Sequence, residues 1–341
     1  MGKKLSEITL EELWQLFPIF LVEPRAEWQQ WYAQQKSSLE KLLPDAEINH
    51  IGSTAIHGIW AKNIVDILAE ISEEADMEAA CRTLRENGWR LMSREPGRIS
   101  FNMGYTENGF AEKVYHLHLR RAGDRDEVYF RDYMNTHPAA AKEYENLKLG
   151  LWKKYEHNRD GYTNAKTELV QKYTRMAKIN FGFMENSEFA DHAPALFDIL
   201  HTNMSSIIQS ETTRAEEYAA WSKAVGEGMQ KPARRIILIN CGTELIGFFQ
   251  YYVNAYAFMM EEIQLKREYQ TKYGVFRSLF DFLTPQLPAD IPHIKAFAHP
   301  NNNKSDAILK HMGLSLVSAG EFNAYCGKYS DFLKWHNKSR S

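Results

Sequence analysis

The sequence has little of what marks secreted, membrane or nucleic-acid-binding proteins. Its three cysteines, Cys81, Cys241 and Cys326, are far apart and odd in number, which argues against a disulfide framework and for a reducing compartment. No long apolar run follows Met1, so neither a signal peptide nor a membrane span is expected. The net charge of −3 gives no overall attraction to nucleic acid or membranes. We therefore expect a cytoplasmic protein.

A chain of 341 residues is too long for one ordinary core, so two domains are expected. The apolar share of 44% and charged share of 25% are typical of globular proteins. Residues 181–192 show no periodicity and mix small with polar side chains, which predicts a linker. The predicted organisation is a domain over 1–180, a linker over 181–192 and a domain over 193–341, each of α/β (α+β) class with a mixed sheet.

Hydrophobic periodicity and turn residues predict the elements. In the first half, helices are expected within 11–43, 72–88 and 126–178, and strands over 48–54, 64–71, 89–94, 98–105 and 114–121. In the second half, two helices over 195–229 are followed by strands over 235–240, 245–253 and 259–266, a helix over 273–287, a strand over 294–298, a helix over 302–312 and two strands within 314–329.

The first candidate site is the Gly52-Ser53 turn, which follows a short apolar run and precedes Asp66 in a second apolar run. A Gly-Ser turn lets backbone N–H groups approach a phosphate. A carboxylate on the next strand can hold the divalent cation that such a phosphate brings. His116 and His118 point the same way on a strand and could join Asp66 in a metal site.

Residues 50–68, His116-Leu117-His118-Leu119 and the segment from Phe130 to Lys166 together resemble the GrpB family of nucleotidyltransferase-like domains over about residues 10–178. The resemblance implies a mixed sheet followed by helices, with nucleotide phosphates at Gly52 and Ser53 and a divalent metal such as Mg²⁺ at Asp66. The basic residues that could neutralise a polyphosphate are Lys62, Arg131 and Lys166.

Simpler interpretations of these residues stay open. Leu68 stands where nucleotidyltransferases carry a second carboxylate, and phosphoryl transfer relies on metal clamping. Asp66 could instead pair with Arg98 or Lys62, the His-x-His pattern could be structural, and the Gly-Ser pair could be an ordinary turn.

The order of elements in residues 195–329 resembles GNAT acetyltransferases, as do Met260-Glu261-Glu262-Ile263-Gln264-Leu265, the segment 269–279 with Gly274, and the Asn302-x-x-Ser helix. The resemblance implies a mixed sheet flanked by helices, with acetyl-CoA held between two splayed strands and its pyrophosphate at a helix N-terminus. Phe276 stands at the family's second small position, and Leu309 where many members carry a tyrosine.

The catalytic base implied for this half is Glu262, with Glu261 as the alternate, because alternation places only one of them in the cleft. The remaining cofactor-binding residues are the backbone of Gln264 and Leu265, the loop residues Lys272, Tyr273, Gly274, Val275, Phe276 and Arg277, and Asn302, which could equally be a helix N-cap.

Three functions follow as hypotheses. The leading one is an acetyl-CoA-dependent N-acetyltransferase, acting on a small-molecule amine or a peptide, joined to a phosphate- or nucleotide-binding domain. The second is a metal-dependent nucleotidyltransferase with an auxiliary acyl-binding domain. The third is a non-catalytic protein that senses two ligands.

Overall fold

The structure, a computed structural model, describes residues 9–208, 211–231 and 233–338. The chain divides into two compact units, one ending at Ala177 and the other beginning at Lys178. Each unit is built on its own mixed sheet with flanking helices. The predicted fold class, a two-domain α/β (α+β) protein, is thereby confirmed.

The first unit contains six helices and five strands within its described residues. The helices are α1 (Leu10–Leu16), α2 (Glu27–Leu42), α3 (Met77–Glu86), α4 (Asp126–Thr136), α5 (Pro138–Leu151) and α6 (Arg159–Lys178). The strands are β1 (Glu47–Ile51), β2 (Val65–Ile71), β3 (Arg90–Glu95), β4 (Arg98–Thr106) and β5 (Gly109–Arg121). Helix α3 begins five residues after the predicted Ser72, because Asp76 provides the N-cap through hydrogen bonds to Glu78 and Ala79.

The sheet of the first unit has the order β1-β2-β5-β4-β3, and only β2 and β5 run parallel. Side chains on a strand alternate between faces, so Ile67 and Leu117 join a core with residues of α2 and α3. The other face of the same two strands carries Asp66, His116 and His118, with Asp66 directly opposite His116 in the register. One face is thus apolar and covered, while the other presents polar groups.

The second unit is built from strands β6 (Ile179–Phe183), β7 (Arg234–Cys241), β8 (Glu244–Val253), β9 (Ala257–Leu265), β10 (His293–Ala298), β11 (Ser315–Ser318) and β12 (Asn323–Lys328). Its helices are α7 (Phe189–Met204), α8 (Arg214–Met229), α9 (Val275–Leu283), α10 (Asn303–His311) and α11 (Tyr329–Lys338). The sheet has the order β11-β12-β10-β9-β8-β7-β6. One apolar cluster joins it to α7 and α8, and another joins it to α9, α10 and α11.

Two irregularities of β9 shape this sheet. Its parallel pairing with β10 ends at Met260 and Ala296, so the rest of β9 runs on without that partner. Its pairing with β8 shifts register between Met260 and Glu262, which leaves Glu261 as a bulge. The strand therefore separates from β10 and bends at the position of the two predicted acidic residues.

The predicted linker over 181–192 is wrong. Residues 179–183 form β6, which pairs antiparallel with β7, and α7 already begins at Phe189. Phe181 packs in one apolar cluster of the unit and Met184 packs in the other. The segment is too short to show a periodic pattern in the sequence. Helix α11 also went unpredicted. Among the described helices, none combines the length and the apolar character needed to cross a membrane.

Candidate functional site

A chain of hydrogen bonds links four side chains on the polar face of the first sheet. Asp66 Oδ1 lies 3.1 Å from His116 Nδ1, and His116 Nε2 lies 2.8 Å from the Tyr105 hydroxyl. Arg159 Nη1 donates to that hydroxyl at 2.9 Å, and its guanidinium lies over the Tyr105 ring. Both nitrogens of His116 are therefore used within the protein.

Asp66 is held in its ionised form. Burial alone would raise its pKa, but the hydrogen bond and charge of His116, aided by His118 and Lys62, lower it to about 2. His118 lies two residues after His116 on β5, and its Nδ1 is 3.3 Å from Ser100 Oγ. Burial lowers the pKa of His118 to about 4, so this imidazole is neutral near pH 7.

The Gly52-Ser53 turn packs against other residues of the first unit. Gly52 has φ +72°, and a Cβ added there would lie 2.9 Å from Asp66 Cβ and closer still to Oδ2. Ser53 Oγ lies 3.3 Å from the Tyr144 hydroxyl. The lack of a side chain at Gly52 thus allows the Asp66 side chain to approach the turn, and the phosphate contact of the turn stays a prediction.

The predicted metal set Asp66, His116 and His118 does not fit Mg²⁺. This ion takes oxygen ligands, and the set offers one carboxylate, already bound to His116. Leu68, at the second carboxylate position, is fully buried beside Ile51 and Val128. Among residues 9–208, 211–231 and 233–338, no group of three or more His, Cys, Asp and Glu could hold a metal.

The predicted basic residues separate into two groups. Arg131 donates to the His50 carbonyl at 2.7 Å and to Asp132 at 2.8 Å, so its role is largely structural. The Lys62 and Lys166 ammonium groups lie 5.6 and 4.2 Å from the centre of the Tyr162 ring. Lys62 and Lys166 therefore contact the same aromatic ring.

The second unit has a cavity of about 250 Å³ where β9 leaves β10. Both Glu261 and Glu262 line it, although strict alternation would admit only one. The bulge at Glu261 breaks the alternation and explains the difference. The other residues that line the cavity are mostly apolar and include Ile263, Phe276, Ala298, Ile308 and Leu309.

The two glutamates differ in their contacts. Glu261 forms an ion pair with Arg234 and accepts a hydrogen bond from Gln250 at 2.9 Å. Glu262 accepts from Gln264 Nε2 at 3.2 Å. Burial raises the pKa of Glu262, and the neighbouring negative charge of Glu261 acts in the same direction. The raised pKa favours Glu262 as a proton acceptor, and its role as the catalytic base stays a prediction.

Some of the groups after Glu262 that were predicted to bind acetyl-CoA already form hydrogen bonds within the protein. The Leu265 carbonyl accepts from Asn203 at 2.9 Å and from Gln270 at 3.0 Å. Gln264 is buried, and its side-chain oxygen accepts from Asn203 at 2.9 Å. The bonds of Asn203 attach the end of β9 to α7.

The predicted pyrophosphate loop has an unusual backbone. Thr271, Tyr273 and Gly274 have φ of +58°, +57° and +62°, and α9 begins at the next residue. Such turns followed by a helix N-terminus leave N–H groups pointing outward. The Lys272 N–H is already weakly bonded to the Tyr269 carbonyl at 3.4 Å. Phe276 lines the cavity and packs edge-on against Phe280.

Asn302 is the N-cap of α10, and its contact with the cofactor stays a prediction. Its Oδ1 accepts from the Ser305 N–H at 3.1 Å and so caps α10, and the residue also lines the cavity. Leu309, from the same helix, also lines the cavity. Its side chain cannot donate the proton that a tyrosine at this position would donate.

Tyr105, Asn203 and Arg234 were not predicted, although they contact predicted site residues, and neither was Arg159, which contacts Tyr105. Tyr105 and His116 come together only because β4 and β5 pair with a register shift near Tyr105. Arg234 reaches Glu261 from two strands away. No local spacing in the sequence signals such contacts.

The first unit is similar in sequence to a known protein family. The model of the family described as GrpB protein matches residues 18–176. The glutamate-rich protein GrpB of Alkalihalophilus pseudofirmus is 35% identical over 160 residues, which are 45% of this chain and 91% of that protein.

Two solved structures resemble parts of the chain. GrpB from Enterococcus faecalis is 22% identical, covers 46% of this chain and 96% of its own, and has a TM-score of 0.41. The PaiA N-acetyltransferase from Thermoplasma acidophilum, in complex with coenzyme A, is 15% identical, covers 44% of this chain and 99% of its own, and has a TM-score of 0.37. By the match of residues 18–176 and the identity to its bacterial relative, the chain belongs to the GrpB family.

Proposed function

We propose that the second unit is an N-acetyltransferase that moves an acetyl group from acetyl-CoA to the amine of a small molecule or a peptide. The observation that carries this proposal is the end of the β9–β10 ladder at Met260 and Ala296. Beyond that point, the free edge of β9 borders a cavity that contains an ionisable carboxylate. An unpaired strand edge can form backbone hydrogen bonds to an extended, amide-containing ligand such as the pantetheine arm.

The cavity lining and the turn before α9 suit this ligand. Its apolar lining would surround the pantetheine and the acetyl methyl group, and the 271–274 turn with the start of α9 offers N–H groups to a pyrophosphate. The loop residues Lys272 and Arg277 would add positive charge beside it.

The chemistry follows from Glu262. The free electron pair of the amine attacks the thioester carbonyl carbon, and a new N–C bond forms while the C–S bond breaks. Glu262 takes the proton that the amine nitrogen loses. The sulfur leaves with the bond electrons and is released as the thiol once a proton reaches it. Glu261, paired with Arg234, holds its position and adds negative charge beside Glu262.

Binding of the cofactor can be tested by filling the cavity. Ile308 lines it and is 41% exposed, so Ile308→Trp should fold while obstructing the ligand. We expect acetyl-CoA to bind the full chain one to one, and the variant to bind at least about tenfold more weakly, as measured by calorimetry. Leu316→Trp is the matched control, since Leu316 is 46% exposed and lies outside the cavity lining. Absence of heat with the wild type, or equal weakening in the control, would contradict the proposal.

The pH dependence of turnover should report Glu262. Its pKa is raised from the ordinary 4.5 by burial, and only the ionised form accepts a proton. The rate should therefore fall as the pH drops through this raised pKa, so the acidic limb of kcat should lie above pH 4.5. A profile that stays flat down to that pH would assign the proton transfer to another group.

The alternatives are less well supported by the geometry. For metal-dependent nucleotide transfer, the residues that the structure describes provide no fitting set of metal ligands around Asp66. A purely ligand-sensing protein would bind acetyl-CoA without turnover over a broad panel of amines, and that outcome distinguishes it from the enzyme.

A further inference from the structure

Two lysines of the first unit lie beside Tyr162, one on α6 and one on the loop before β2, and a third cation, Arg159, lies at the start of α6. Lys62 and Lys166 lie over the ring of Tyr162. Arg159 lies over the ring of Tyr105, and its positive charge acts on Lys62. Burial lowers the pKa of Lys62 to about 7, with the charges of Arg159 and Lys166 acting in the same direction. Like charges this close are unfavourable unless an anion lies among them.

The protein supplies little compensation. The acid that acts on Lys62 is Asp66, and that carboxylate is already bound to His116. Within the residues that the structure describes, none of the three cations forms an ion pair with a carboxylate. Arg159 uses one N–H for the Tyr105 hydroxyl, and the two lysines have only their contacts with an aromatic ring.

The Tyr162 hydroxyl is the second, independent sign of a missing ligand. Tyr162 is 1% exposed, and its hydroxyl has no hydrogen-bond partner in the part of the chain that the structure describes. A buried hydroxyl without a partner costs free energy, which a bound acceptor would remove. The same side chain carries the two lysines on its ring, so an acceptor beside it would also meet their charges.

We infer that Lys62, Arg159, Lys166 and Tyr162 bind the phosphate group of a phosphate monoester directly, without a divalent cation. A dianionic phosphate supplies the missing negative charge and has oxygens enough for the ammonium, guanidinium and hydroxyl donors. The site differs from the Gly52-Ser53 turn, which Asp66 fills, and it is independent of the proposed acetyl transfer.

The body of the monoester is expected to be apolar or aromatic. Lys62 also lines a cavity of about 410 Å³ whose walls include Phe20, Trp31 and Phe110. Phe20 is 40% exposed, so its ring is available for contact with a ligand. Aromatic walls next to a cation suit a planar group joined to a phosphate.

The test is calorimetry with inorganic phosphate and phenyl phosphate on the full chain in EDTA. Both should bind, and phenyl phosphate should bind more tightly. Lys166→Gln and Lys62→Gln should each weaken phosphate binding at least about tenfold, and Tyr162→Phe severalfold. Phe20→Ala should remove the advantage of phenyl phosphate and leave inorganic phosphate unchanged.

Lys154→Gln is the matched control, because its ammonium also lies over an aromatic ring, Tyr155, but the side chain is exposed. Folding is monitored by thermal unfolding without ligand, where Lys166→Gln should equal or exceed the wild type since it relieves repulsion between cations. The inference would be overturned by absence of phosphate binding in EDTA, by binding that requires Mg²⁺, or by equal weakening in Lys154→Gln.

Discussion

Glu262→Gln is expected to lower kcat for acetyl transfer by about 10²- to 10⁴-fold, the usual contribution of a general base. Glutamine keeps the size of the side chain and its place beside Gln264, but it cannot take the proton of the amine. Binding of acetyl-CoA should stay close to that of the wild type, because the base acts on the acceptor. Steady-state rates and calorimetry on the same preparation separate the two effects.

Glu261→Gln is the matched control for this prediction. Glu261 lies next to Glu262 in the same cavity, but its carboxylate is paired with Arg234 and Gln250. Its loss should reduce stability, because Arg234 would lose its charge partner, and should change kcat by less than about tenfold. An equal or larger loss of kcat in Glu261→Gln than in Glu262→Gln would show that the base is misassigned.

Gly52→Ala is expected to lower the free energy of unfolding by about 2–5 kcal/mol, combining the cost of a positive φ with that of overpacking. Its φ is +72°, and the added Cβ would meet the Asp66 side chain. The carboxylate would have to move, which would also disturb its bond to His116. Denaturant unfolding gives the size of the change.

Gly58→Ala separates the two causes. Gly58 has the same φ of +72°, but no atom lies within 4 Å of an added Cβ. Its substitution should cost only about 1–2 kcal/mol, the price of the backbone conformation. If Gly52→Ala costs no more than Gly58→Ala, the close packing of Asp66 on the turn does not stabilise the protein.

Much of the fold could be predicted because strands and helices impose short periods on the sequence. The alternation around Ile67 and Leu117 places Asp66, His116 and His118 on one face, and the structure confirms that face. The same reasoning failed at Glu261, since a bulge shifts the period by one residue and no local feature of the sequence announces it.

The chemistry of the candidate sites was less predictable, because it depends on contacts between distant segments. Gly52 and Asp66 were both identified, but the direct packing of the Asp66 side chain against Gly52 could not be predicted from their spacing. Tyr162 belonged to a motif that resembles the family, yet its buried, unpaired hydroxyl is visible only in three dimensions. Residues 179–183 look irregular by themselves and become a strand through pairing with β7.

The most direct measurement of the central claim is a crystal structure of the full chain with acetyl-CoA and no acceptor. We expect the pantetheine arm to lie between β9 and β10 beyond Met260, hydrogen-bonded to the free edge of β9. We also expect the pyrophosphate to lie at the N-terminus of α9 and the thioester to open toward Glu262. Acetyl-CoA bound elsewhere, or a gap that stays closed while Phe276 occupies the phosphate position, would contradict it.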